Sequence, residues 1–215
     1  LSAASENGRP TLFMIRKVTQ VVSFKLCFCF LVALVSVLSS SLNSFCESRG
    51  QEVHESWDKV SFYVSAHEDD WQLFMNPPAY DDVANSHTKV VFIHVTAGDA
   101  GFGPDNHGRK HPFFLARENG SRSAIRFLAD LAQWPSVEKI SKATINKHRL
   151  HRVEYKNTVA YFLRLPDGSG DGAGYEKTGY QSLERLLLGK SDKIQAVDGS
   201  AQYASWKDLA DTFGV

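Results

Sequence analysis

The segment AHEDD, residues 66–70, sets one imidazole beside three consecutive carboxyl groups directly after the run VSFYVS. Like charges at that density raise one another's pKa. A divalent cation inverts that logic, and a helix N-terminus relieves it more weakly. His67 and Asp70, three residues apart around a turn, can converge on one ion. A catalytic Zn²⁺ takes three protein ligands and keeps a position open for water. Asp69 leaves the same turn in another direction and can take a proton from the attacking water. The plain alternative is the solvated acidic first turn of a helix, and spacing alone leaves both open.

Such a cluster needs a rigid base. VSFYVSA (60–66) and KVVFIHVTAG (89–98) are near-continuous apolar runs with β-branched content and turn residues at their ends. They are expected to form buried parallel strands. Between them a short helix is predicted from Asp70 to about Met75, stopped by Pro77 and Pro78. Strand, helix and strand form the opening βαβ unit of an α/β sheet, and functional groups gather at the carboxyl ends of such strands. A longer helix is predicted over 114–133, with Ala116, Ala124, Phe127, Leu128 and Leu131 as its apolar stripe and Pro135 closing the segment. Strands are predicted next at 140–146 and 150–165, the latter as a hairpin turning near Lys156-Asn157. Two further helices are predicted, Tyr180 to Leu188 before Gly189 and Ser205 to Phe213, the second with Ser205 and Asp208 in capping-box spacing.

Composition is that of a globular chain: 43% apolar, 22% charged, and 24 basic against 24 acidic residues in 215. The balanced charge argues against a nucleic-acid partner, whose binders carry basic excess. Residues 26–38, LCFCFLVALVSVL, follow Arg16, Lys17 and Lys25 and precede SSSLNS. That order is the one found in a secretory signal peptide, with Met14 as a start. The run is short of the about 20 residues a membrane span needs; an uncleaved signal anchor, the membrane-bound alternative, stays open. Residues 1–46 are therefore set apart as upstream sequence plus signal, and 47–215 as the folded domain. Cys27 and Cys29 lie in the apolar run and Cys46 near its end, so a processed chain offers neither a disulfide framework nor a thiolate metal site. Any metal falls to His and carboxylates. The chain stops one residue after the helix-closing Gly214, which suggests truncation at the C-terminus.

AHEDD after an apolar strand resembles the AHPDD signature of the PIG-L/LmbE-like zinc deacetylases. VVFIHVTAGDAG (90–101) is similar to that family's second strand and its Gly-Asp/Glu-x-Gly loop, ARENGSRSAIRFLADL (116–131) to its arginine-bearing helix, and LRLPDGSGDGAGY (163–175) to a secreted branch. The resemblance covers about 60–134 in order. It implies an α/β fold with a Rossmann-like, mostly parallel sheet flanked by helices, and hydrolytic removal of acetyl from an N-acetylglucosamine-containing substrate in a secreted or secretory-lumen setting. It implies Zn²⁺, or another divalent metal, on His67 and Asp70, Asp69 as general base, and Arg117 as a contact to substrate hydroxyls. Glu68 stands where the family has proline, and Trp71 where it has glutamate, which touches substrate range. The family's remaining histidine ligand comes from a late His-x-x-His type motif. No histidine follows His151 here, so the third ligand is expected beyond Val215, and the chain as given is expected to bind zinc weakly. The alternative is a catalytically dead carbohydrate-binding derivative. A nucleotide-binding Rossmann module is disfavoured, since no G-x-G-x-x-G follows either early strand.

Several residues carry a duller reading beside a functional one. Asp99 either lines the sugar pocket or caps the GDAG turn. His94 is expected to fill the core, His107 and His111 to lie on a solvated loop over the site, and His148 and His151 to be surface residues. DGSGDGAG (167–174) partly matches a calcium-loop register, but Thr178 stands where that loop needs glutamate, so a flexible loop or lid is expected. Asn119-Gly120-Ser121 is a glycosylation sequon inside a predicted helix.

Overall fold

In the computed structural model the chain divides into two units, residues 1–55 and 56–215, and the structure describes residues 57–134 and 136–214. The apolar segment 26–38 and all three cysteines lie outside the described residues. Strand β1 (Lys59–Ser65) leads through helices α1 (Asp70–Phe74) and α2 (Pro78–Ala84) to β2 (Thr88–Thr96). Helix α3 (Phe113–Ala132) is next, then β3 (Lys139–Ile145), β4 (His148–Tyr155) and β5 (Thr158–Leu165). The chain closes with α4 (Leu183–Leu187), a hairpin of β6 (Ile194–Gln195) and β7 (Gln202–Tyr203), and α5 (Trp206–Thr212).

The five long strands form one mixed sheet in the order β1-β2-β5-β4-β3. β1, β2 and β5 run parallel, while β4 and β3 pair antiparallel. The expectation of a mostly parallel sheet thus holds over the half that carries the site and ends at β5. Two hairpins explain the change: Asn146-Lys147 and Lys156 adopt left-handed backbone and turn the chain back, which only antiparallel partners allow.

One face of the sheet packs Val90, Phe92, Ala160 and Phe162 against Trp71, Ala79, Val83, Ile125 and Ala129 of α1, α2 and α3. The other buries Leu163 and Leu165 under Leu186, Ile194, Tyr203 and Leu209. β2 is buried as predicted, but β1 is an edge strand, and Val60, Phe62 and Val64 stand 47–64% exposed on this second face. The proline pair that ends α1 also begins α2, since proline at the first helical position gives up no needed N–H. Helix α3 corrects part of the predicted stripe: Ala124 and Leu128 pack against the core as expected. Its buried residues are Phe114, Glu118, Ser121, Ile125 and Ala129, whereas Phe127 and Leu131 are exposed. Two polar residues occupy the inward face because each meets a polar partner there. Helix α4 starts later than predicted, at a Ser182 cap whose hydroxyl accepts the Arg185 N–H.

Candidate active site at the carboxyl ends of the parallel strands

Backbone hydrogen bonds tie the three parallel strand ends together. The Thr96 N–H and hydroxyl both donate to the Ala66 carbonyl, at 2.9 and 2.8 Å, and the Ala97 N–H donates to the Leu165 carbonyl at 2.7 Å. His67, Asp99 and Asp167 therefore leave fixed anchors, each two or three residues past its strand.

The His67–Asp70 turn is closed by the His67 N–H, which donates to Asp70 Oδ2 at 2.8 Å. This brings His67 Nδ1 to 3.6 Å from the same oxygen. Two ligand atoms of a tetrahedral zinc ion, at bond lengths of about 2.0–2.2 Å, stand roughly 3.4 Å apart. The pair thus fits two adjacent positions of such a shell. Among the described residues no set of three His, Cys, Asp or Glu side chains converges. The other ring nitrogen, Nε2, lies 3.4 Å from Asp167 Oδ1.

Asp69 faces elsewhere. It occupies the N-cap position of α1 without a side-chain cap bond, and its Oδ1 accepts from Arg117 Nη2 at 2.7 Å. Arg117, on α3, also reaches Glu68 Oε2 with Nε at 3.4 Å. Glu68 is 2% exposed, and its Oε1 has no hydrogen-bond partner among the described residues. Burial pushes its carboxyl up to about 7, against the pull of Arg117. Gly98 makes room for this pairing: at its φ of +51°, a Cβ would stand 2.5 Å from Glu68 Oε2 and 2.9 Å from Arg117 Nε. Glu68, Asp69, Gln72, Phe113, Arg117 and Ser121 line a groove of about 310 Å³ between α1 and α3, at the small end of the range for ligand pockets.

Asp99 is fully buried. Its Oδ2 accepts the Gly103 N–H at 2.7 Å and its Oδ1 the Asp167 N–H at 3.0 Å. It ties the loop after β2 to the loop after β5, and both oxygens serve backbone. Trp71 is fully buried, packs on Phe92 at 4.7 Å and donates to Ser121 Oγ at 3.0 Å, so it shapes the core beneath the groove.

His94 fills the core as expected. Ser65 and Ser121 hydroxyls hold its two ring nitrogens at 2.9 and 3.1 Å, and burial lowers its pKa to about 4. Ser121 of the sequon is thus a buried residue of α3. His107 lies on the exposed loop, 3.1 Å from Lys177 Nζ. His148 and His151 depart from expectation: both lie within β4. His148 pairs with Asp208 at 2.9 Å with its side chain 11% exposed, and burial, aided by Arg164, lowers the His151 pKa to about 4.

The structure therefore brings His67 and Asp70 together, directs Asp69 to Arg117, and sets Asp99 behind the site as a tie. It adds Asp167, a neighbour of His67 from 100 residues away that sequence reasoning misses. The signal available is its position just past a third strand end, the same position that singles out His67. Comparison of the chain with protein-family models, with curated proteins and with solved structures gives no match.

Proposed function

We propose that this Rossmann-like sheet carries a metal-dependent hydrolase that removes acetyl from an N-acetylated amino sugar in the secretory pathway. The reading rests on the 3.6 Å approach of His67 Nδ1 to Asp70 Oδ2, with Asp69 turned out of that pair. His67 and Asp70 would hold the ion, and its third protein ligand comes from outside the described residues. A divalent cation there supplies Lewis acidity toward an amide carbonyl and a water molecule. Asp69 would keep Oδ1 on Arg117 and offer Oδ2 to the proton of the attacking water; its side chain is 46% exposed. The same carboxyl then returns the proton to the leaving amine, giving acetate and a free amino sugar. Among the described residues Arg117 commits Nε and Nη2 to Glu68 and Asp69, which leaves Nη1 for a substrate hydroxyl. Phe113 and Gly120 give the groove an apolar wall for the carbon face of a sugar ring.

The test combines metal content by elemental analysis with acetate release from a panel of N-acetylglucosamine conjugates. His67→Ala should lose zinc. Asp69→Asn should keep zinc and lose turnover; preserved turnover removes Asp69 from the mechanism. A carbohydrate-binding derivative without activity is the second reading, favoured by the 2.7 Å Arg117–Asp69 pair, which engages the base. Sugar binding without acetate release in a zinc-loaded chain would select it.

A further inference from the structure

We infer that Asp167 is the positioning residue of His67: its carboxylate takes the imidazole Nε2–H and thereby turns Nδ1 toward Asp70 and the cation. The inference rests on the reading of His67 and Asp70 as metal ligands and adds a residue to it. The two nitrogens are not equivalent. Nε2 is within hydrogen-bond reach of Asp167 Oδ1 at 3.4 Å, whereas Nδ1 is 3.6 Å from Asp70 Oδ2, an oxygen that already accepts the His67 N–H. The arrangement favours the tautomer with hydrogen on Nε2 and a bare lone pair on Nδ1. Metal-ligating histidines recurrently donate their second ring N–H to a carboxylate, which fixes both tautomer and ring angle.

Asp167 is itself held in place, although it opens a glycine-rich segment that composition alone makes flexible. Its N–H is bound by buried Asp99, the Leu165 carbonyl before it by Ala97, and the loop after it closes through Gly174 N–H on the Gly168 carbonyl at 2.8 Å. Among the described residues the Asp167 carboxylate bonds to His67 alone, so it spends no structural bond elsewhere. Loss of such outer partners weakens metal binding by about 10–100-fold. The 3.4 Å separation exceeds the roughly 2.7–2.9 Å of a strong charged hydrogen bond, which places the expected effect near the lower end.

Zinc affinity measured by chelator competition at one fixed pH, since metal affinity is itself pH-dependent, decides the matter, with the full chain as wild type, Asp167→Asn, Asp167→Ala and His67→Ala. Both Asp167 variants should bind zinc about tenfold more weakly, and His67→Ala should lose competition altogether. Wild-type affinity in both Asp167 variants, with His67→Ala still defective, overturns the positioning role and leaves the metal site standing. A loss in Asp167→Ala as complete as in His67→Ala makes Asp167 a ligand and also overturns it. Unchanged affinity in His67→Ala defeats the metal reading itself. Long-range ¹H–¹⁵N spectra of the zinc-loaded wild type supply a readout independent of variant folding: hydrogen on Nε2 is expected, and hydrogen on Nδ1 refutes the inference.

Discussion

Asp99→Ala tests whether that carboxylate is a structural tie or a substrate contact. The substitution leaves two backbone donors, the N–H groups of Gly103 and Asp167, without the acceptors they have at 2.7 and 3.0 Å. Hydrogen bonds to a charged group contribute about 1.5–3 kcal/mol each, and a buried donor left unpaired costs about 1–3 kcal/mol. Gly103 is buried, so its N–H has little access to replacement water, and about 2 kcal/mol is lost there. Asp167 is half-buried and can rehydrate, which limits its share to about 1 kcal/mol. The total of about 3 kcal/mol corresponds to a urea midpoint lowered by roughly 1.5 M, for a slope near 2 kcal/mol/M. Amide exchange at Gly103 and Asp167 should accelerate together, because one side chain restrains both loops. A midpoint within about 0.3 M of wild type, with exchange at both amides unchanged, refutes the tie. A pure defect in substrate affinity would then make Asp99 a lining residue of the pocket.

The remaining predictions concern the groups beneath the groove. Burial holds His94 near 4, so between about pH 6.5 and 4 the unfolded chain binds a proton that the folded chain refuses, and stability falls as pH drops; His151 adds to this. Burial holds Glu68 near 7, so between about pH 4.5 and 7 the folded chain keeps a proton that the unfolded chain releases, and stability falls as pH rises. The two effects oppose. Glu68→Gln removes one of them, worth roughly 3 kcal/mol across its window, so its urea midpoint should fall more steeply from about pH 7 to about pH 5 than that of wild type; equal slopes would contradict the burial of Glu68. Ser121→Ala leaves His94 Nε2 and Trp71 Nε1 without the hydroxyl they share. It should cost about 2 kcal/mol and lower the melting temperature by roughly 6 °C, and an unchanged melt would mean that the buried chain of polar groups adds nothing to stability.

What the sequence reveals and what it hides divide along physical lines. β2 and the parallel β1–β2 unit are legible because a buried parallel strand needs a continuous apolar run, and KVVFIHVTAG is one. The AHEDD turn is legible because charge crowding demands a partner. The buried stripe of α3 is not, because Glu118 and Ser121 point inward, and an inward glutamate is intelligible only once Arg164 is known to meet it. Trp71 stands in a charged stretch and reads there as a feature of the site, yet it anchors the core. Asp167 and Asp99 are hidden as neighbours because their association comes from strand order, with β5 beside β2, and no local pattern encodes that order.

The same inward polar residues link the fold to its candidate chemistry. Arg117 and Glu118 are consecutive on α3 and engage residues at the ends of different strands. Arg117 holds Glu68 and Asp69 at the end of β1. Glu118 receives Arg164 of β5 in a two-point pair at 2.6 and 2.8 Å, while Arg164 Nη1 reaches Asp198 at 2.6 Å. Arg164 has a φ of +59°, and the β2–β5 register shifts between His94 and Thr96. Left-handed backbone at a residue with a Cβ costs about 1–2 kcal/mol, and a bulge of this kind re-aims the chain beyond it. The residues re-aimed here are Leu165, fixed opposite Thr96, and then Asp167 beside His67. An apolar pair in place of Glu118 and Arg164 would pack this helix as well or better, since buried ion pairs are often no more stable than hydrophobic replacements. It would give no directional grip on the bulge. The ion pair is thus best understood as fixing where the end of β5 points, and through it which way the imidazole at the end of β1 is turned.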